Sequence, residues 1–248
     1  MAHLAHYREA HPLPFVITHW INLIAMIVLI CSGFYIHFPL FAGWMGVARG
    51  AHMLFAFILV INMLVRVILA FFVKSAPTGG TRKVAPDYKS FLPQKDNRHQ
   101  LGAWIKYYLF LKKDHPLGAK YGVPQKLSYM AIPPLILIMA FTGLCLWGPT
   151  MNIGPFFGFT ELVGGLMVVR IIHYYLMWVF ILFMFIHVYL ANVEGLAPTK
   201  LIFLRKEHGG LVYDPDVHNI VGEDDLREDG NSQADRQTKA TSSASKGI

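Results

Sequence analysis

Two histidines, His173 and His187, interrupt an otherwise aliphatic and aromatic stretch, RIIHYYLMWVFILFMFIHVYLANVEG, that runs from Arg170 to Gly195. An imidazole in so apolar a segment needs a partner, and an ionisable side chain within a membrane span marks function by default. The two are fourteen residues apart. At about 100° per residue the second falls about 40° short of a whole number of turns, so both project from one helix face. At about 1.5 Å per residue they are stacked about 21 Å apart. Zinc or copper wants ligands converging on one point, and this spacing belongs to two separate centres. Two more histidines in apolar surroundings, His19 and His52, offer each centre an opposite partner.

These residues must be positioned by membrane helices. The chain has 248 residues, 54% of them hydrophobic and only 15% charged, which is too apolar for an ordinary soluble domain. Four apolar stretches, about 14–38, 50–73, 127–147 and 169–193, are each long enough to cross a hydrocarbon core of about 20 helical residues. The first is longer than a signal h-region, has only Arg8 as a basic flank and lacks a clear small-residue cleavage site, so it reads as a span. The formal charge of +7 does not imply nucleic acid as a partner, because eleven Lys/Arg lie between Lys74 and Lys126 while the other two connections hold only Arg49 and Arg170. That asymmetry predicts a multi-pass protein with both termini and the middle loop in the cytoplasm.

Depth then pairs the histidines. The first span rises from inside, so His19 is inner; the second starts outside, so His52 is outer; the fourth descends, so His173 is outer and His187 inner. His52 with His173 and His19 with His187 make two bis-imidazole sites between antiparallel helices, which suits two b haems ligated axially through neutral imidazole nitrogens. The Phe, Leu and Met of the spans fit around a porphyrin, and Gly33 and Gly143 are small enough to let a flat macrocycle approach the backbone. His37 is the rival outer ligand, eighteen residues beyond His19 and on the same face. Arg49 and Arg170 each precede an outer histidine by three residues, where they either meet haem propionates or anchor helix ends. Arg66, fourteen residues after His52, either meets inner propionates or snorkels to headgroups. Cys31 and Cys145 lie within spans without Cys-x-x-Cys spacing and read as small buried hydrophobes.

The fold class expected is an all-α membrane protein, a four-transmembrane-helix bundle with an interfacial amphipathic helix in the cytoplasmic loop. That helix falls on HQLGAWIKYYLFLKK, where aromatic and aliphatic residues alternate with Lys. Pro133 and Pro134 are expected to kink the third span near its cytoplasmic end. The outer segment GPTMNIGPFFGFTELVGG is expected in the interface or on a partner. Residues 1–205 form the transmembrane dihaem domain and 206–248 a polar cytoplasmic tail, largely disordered from about residue 222.

At these residues the sequence resembles the dihaem b-type cytochrome subunit of membrane-bound nickel–iron hydrogenases, kin to the cytochrome b subunits of formate dehydrogenase and thiosulfate reductase. The likeness rests on THW with His19, SGFYIHFP, MGVARGAH with His52, WIKYYLFL, HPLGAKYGVPQKLSY and VRIIHYYLMWVFILFMFIHVYLANVEG, and covers about residues 10–200. One helix carries a histidine pair and two others one each. Quinol–cytochrome c reductases place pairs on two helices, and ascorbate-type b561 proteins put one on each of four.

The resemblance implies a subunit of the bacterial cytoplasmic (inner) membrane, among its lipids. Its partners would be an iron–sulfur small subunit and a catalytic large subunit of hydrogenase, or of formate dehydrogenase, on the outer face. Electrons would pass through two b haems to the quinone pool, menaquinone or ubiquinone, with the substrate-oxidising site on another chain. Formate dehydrogenase relatives carry Lys-Tyr-Asn-Ala-Gly-Gln-Lys before the third span, with the Asn near the quinone. Here the loop reads KYGVPQK, with Gly122 in that place. Tyr121, Gln125 and Lys126 remain, and with His187 they are the quinone candidates; interfacial anchoring is their alternative role. A different class of protein, a haem-free membrane anchor or proton relay, would want acids or hydroxyls between His173 and His187, where only Tyr174 and Tyr175 offer one.

Overall fold

A computed structural model describes residues 12–75, 85–91, 100–112, 123–192, 197–204, 212–214 and 219–221. Its helices are α1 (Leu13–His37), α2 (Met45–Phe72), α3 (Leu101–Tyr108), α4 (Val123–Leu146), α5 (Gly154–Val163), α6 (Leu166–Asn192) and α7 (Ala197–Leu204). Four of them, α1, α2, α4 and α6, are long and apolar enough to cross a membrane. The shortest, at 24 residues, exceeds the ~30 Å hydrocarbon thickness. Large apolar side chains such as Leu64, Ile138, Leu182 and Phe185 are exposed along these helices. In water that surface would drive aggregation; in a bilayer it is what lipid covers. The protein is an all-α integral membrane protein.

Local chemistry sets the helix ends. Proline stands in the first turn of α1, where its missing N–H costs nothing. Pro39 follows Phe38 and disfavours the helical conformation there, and Phe38 indeed leaves it at φ −126° and ψ 84°. α2 starts at Met45, five residues before the expected Gly50, so the turn between α1 and α2 is shorter than the sequence suggests. Helix α4 runs unbroken through Pro133 and Pro134, although both remove a backbone donor.

By compactness the chain forms two units. One consists of Pro12–Val73 and Gln125–Glu194 and holds the four spans. Its core is Ala25 of α1, Leu59 and Met63 of α2, Ile136 of α4 and Phe180 of α6, so all four helices meet in one cluster. Phe180 lies seven residues from both His173 and His187, and Leu59 seven from His52, so this cluster sits about 10 Å from either histidine level. The Phe-rich segment between the third and fourth spans forms a helix, α5. Phe156 and Phe159 bring their rings within 5.4 and 5.1 Å of Phe141 on α4, so part of its apolar surface packs on the chain itself. Gly164 and Gly165, at φ 101° and 99°, make the left-handed turn from α5 into α6.

The other unit contains Met1–His11, Lys74–Pro124 and Gly195–Ile248. Within it, Lys74–Ser75 (β1) pairs antiparallel with Ala85–Pro86 (β2), and the buried Ser75 hydroxyl donates to Asp87 Oδ1 at 2.8 Å. α3 is the expected amphipathic helix: Trp104 and Tyr108 are buried while Leu101, Ile105 and Lys106 are exposed. In the segment expected to be a polar tail, Val212–Asp214 (β3) pairs antiparallel with Asn219–Val221 (β4). The expectation of disorder from residue 222 lies outside the described residues.

Candidate functional site

Four half-buried imidazoles come together as two pairs. His52 of α2 faces His173 of α6 with ring centroids 6.3 Å apart and planes 62° from parallel. His19 of α1 faces His187 of α6 at 6.1 Å and 41°. The third helix contributes no histidine to either pair. His37, the rival ligand, is close to the first pair but stacks on Tyr174 at 4.3 Å and 19°.

The separation is itself chemical information. A metal–imidazole bond of about 2 Å on each side, plus ring radii of about 1.1 Å, puts two imidazoles bound across one iron about 6 Å apart. Both pairs have that spacing, at 6.3 and 6.1 Å. No group of three or more His, Cys, Asp or Glu is gathered to hold a metal among the described residues. Two axial nitrogens with an apolar surround fit a haem, which brings its own equatorial ligands. The donor set does not fit zinc, which needs four ligands or three and a water.

The hydroxyls around the first pair escaped the sequence reading. Ser32 Oγ on α1 lies 2.9 Å from His52 Nδ1, and Thr142 Oγ1 on α4 lies 2.9 Å from His173 Nδ1. The residues that follow, Gly33 and Gly143, lie against the same rings. A Cβ on Gly33 would stand 3.5 Å from His52 Cε1 and 3.6 Å from Met177 Sδ; one on Gly143 would stand 3.3 Å from His173 Cε1. These glycines therefore make room for the imidazoles.

At the other pair the ties are different. Asn62 of α2, itself buried, donates to Thr18 O at 2.7 Å and to Asn22 Oδ1 at 2.6 Å, locking α2 to α1 beside His19. Such amide bonds across apolar helices act as glue. Phe183 stacks on His187 at 5.7 Å, one turn along α6. Buried asparagine in a greasy helix was the available signal for this contact, and it went unused.

The flanking cations are placed as follows. Arg49 and Arg170 are exposed. The Arg66 guanidinium lies over the Phe15 ring, 3.8 Å from its centroid, four residues before His19 in α1. Lys126 is buried at 6% exposure, unlike a lysine stretched toward headgroups. Tyr121 and the side chain of Gln125 lie outside the described residues. Cys145 is buried, as expected of a small hydrophobe, but Cys31 is exposed on its helix surface.

Comparisons with known proteins give the family. Residues 10–205 match the family model described as prokaryotic cytochrome b561. A putative protein-methionine-sulfoxide reductase subunit YedZ1 of Azospira oryzae is 25% identical over 210 residues, covering 80% of this chain and 96% of that protein. A probable Ni/Fe-hydrogenase B-type cytochrome subunit of Azotobacter chroococcum is 26% identical over 220 residues, covering 82% of this chain and 88% of that one. Four apolar spans, paired intramembrane imidazoles and a family model covering most of the chain lead to one assignment: the chain belongs to the prokaryotic cytochrome b561 family and is a membrane-spanning electron-transfer subunit of the haem b kind.

Proposed function

We propose that the chain is the cytochrome b subunit of a membrane-bound nickel–iron hydrogenase, carrying electrons from an outer-face iron–sulfur subunit to the quinone pool. His52 and His173 hold an outer b haem, and His19 and His187 an inner one. Bound there, each haem supplies one-electron ferric/ferrous chemistry. The observation that supports this most is the pairing itself: two imidazole pairs at 6.3 and 6.1 Å, both sharing α6.

The chain's own residues do the rest. The imidazoles fix two stations at different depths, and the Ala25–Leu59–Phe180 cluster keeps water out between them. Arg49 and Arg170, exposed one turn before the outer ligands, are placed to meet propionates, and Arg66 does so at the inner level. Residues 1–205 are the membrane domain and both termini are cytoplasmic, in the bacterial inner membrane. Quinone reduction takes two electrons and two protons. The protons enter from the cytoplasm near Lys126, which forms the quinone site with Gln125 and His187. Lys126 supports this by its burial. Oxidising hydrogen outside and reducing quinone inside moves charge across the bilayer, about 2.3 kcal/mol per charge per 100 mV.

A second reading keeps the site and changes the partner, to formate dehydrogenase or thiosulfate reductase. The similar identity to the Azospira subunit adds a methionine-sulfoxide reductase to that class. Supplying hydrogen, then formate, then methionine sulfoxide with prereduced quinol to the intact complex, while following haem absorbance, separates them. Haem reduction by hydrogen alone supports the first reading. Response to formate or sulfoxide alone assigns the partner accordingly, and a colourless purified complex would restore the haem-free anchor.

A further inference from the structure

The two levels of the bundle treat their histidines differently, and the difference lies in the second nitrogen of each ring. Ser32 has one hydroxyl proton, and Val28 O at 2.6 Å, with Leu29 O at 3.2 Å, takes it. The contact between Ser32 Oγ and His52 Nδ1 is then one in which the ring N–H donates. Thr142 repeats the arrangement: its proton goes to Met139 O at 2.9 Å, so its oxygen accepts from His173 Nδ1–H. A ring whose Nδ1 carries the proton has its lone pair on Nε2, the nitrogen left for a metal.

The adjoining glycines complete the same device. Ser32-Gly33 on α1 grips the ring of His52 on α2, and Thr142-Gly143 on α4 grips the ring of His173 on α6. In each, the hydroxyl takes the Nδ1 side while the bare glycine lies 3.5 or 3.3 Å, measured from an added Cβ, from Cε1. The hydrogen bond fixes the rotation of each ring about its own side-chain bond, and the bare glycine beside it leaves the room that the held ring occupies. At the other level His19 Nδ1 is buried with no hydrogen-bond partner among the described residues. Nearby on α1, the Thr18 hydroxyl donates to Phe15 O and Asn22 Oδ1 accepts from Asn62.

We propose that Ser32 and Thr142 are positioning residues of the outer centre, which hold His52 and His173 as Nδ1–H tautomers and lower the potential of the haem between them. This rests on the dihaem reading above. A ligand imidazole that donates its other N–H becomes more basic and gives more electron density to iron, which favours the ferric state. With both outer ligands so tuned, the outer haem lies below the inner one, and electrons entering from outside run downhill toward the cytoplasmic side. The helices carrying the clasps, α1 and α4, also hold no outer ligand themselves, so each of the four spans contributes to the outer centre.

The test is a redox titration of the full-length protein in its complex, with optical and low-temperature EPR detection. The variants are Ser32→Ala and Thr142→Val, with Ser32→Thr and Thr142→Ser as hydroxyl-keeping controls; His173→Ala assigns the outer signal. The expected result is an upward shift of the outer midpoint in each hydroxyl-free variant, larger in the double, with the inner midpoint unmoved and the controls near wild type. If removal of a hydroxyl instead empties the outer site, the positioning role holds only when the control restores it. Both haems bound with unchanged outer potential and g-values in Ser32→Ala and Thr142→Val would overturn the proposal. So would equal shifts of the two haems. A wild-type chain with fewer than two haems would instead bring down the dihaem reading on which it rests.

Discussion

His37 stacks on Tyr174 with ring centroids 4.3 Å apart, while His52, not His37, faces His173 across 6.3 Å. Both histidines were eligible from the sequence, since each lies near the outer end of its span. An aromatic stack closer than 5 Å leaves no room for iron between the rings. His37→Ala is therefore expected to keep both haems and cost at most the stack, about 0.5–1.5 kcal/mol. His52→Ala is expected to lose the outer haem. Haem-to-chain ratios of the two variants decide it; the reverse pattern would make His37 the ligand.

The glycine contacts predict a graded response. A Cβ at Gly143 approaches His173 at 3.3 Å, closer than the 3.5 Å at Gly33 to His52. Gly143→Ala therefore pushes the ring, while Gly33→Ala makes an ordinary contact. Overpacking costs about 1–3 kcal/mol, so Gly143→Ala is expected to lower outer-haem occupancy and broaden its EPR signal, with Gly33→Ala near wild type. Equal behaviour of the two would show that the closer approach at Gly143 has no steric consequence.

Asn62 predicts an effect on the other level. Its amide joins Thr18 O and Asn22 Oδ1 across α1 and α2. Hydrogen bonds between membrane helices average about 0.6 kcal/mol and reach about 1.7. Asn62→Leu, which keeps the branching of the side chain but removes the amide, is expected to destabilise the folded protein by about 1–2 kcal/mol and to perturb the inner haem before the outer. Thermal release of the two haems, followed at their separate midpoints, checks the order.

Topology is tested by reporter fusions. Fusions after Lys83 and after Gly210 are expected to report cytoplasm, and one within Asn152–Thr160 the outer side. This follows from the basic middle loop. A periplasmic signal at Lys83 exchanges the two levels and reverses the direction of the electron path.

Much of the site was legible because helix geometry converts residue spacing into depth and face. His19, His52, His173 and His187 pair as their positions along four spans require. What was not legible depends on helix rotation. Ser32 and Thr142 are hydroxyls in apolar helices, which commonly bond their own backbone, and they do so here. Nothing in the sequence says that the same oxygens also face a histidine on a neighbouring helix. The helix α5 was missed for another reason. Gly154, Pro155 and Gly158 look like turn residues, yet proline in the first turn and Gly164 at the end are the punctuation of a short helix. Of the quinone candidates, Gln125 lies in the first turn of α4, and Tyr121 is outside the described residues.

The central claim is that this chain holds two haems at two depths, with entry at the outer one. Its most direct test is reduction of the purified complex by its own substrate in the His173→Ala and His187→Ala variants, with haem absorbance and quinol formation recorded together. Wild type is expected to show two b haems per chain. His187→Ala should retain a single haem that substrate still reduces, with quinol formation lost, whereas His173→Ala should retain a single haem that substrate no longer reduces. Quinol formation continuing in a folded His187→Ala protein, or substrate reducing the haem left in His173→Ala, would contradict the account.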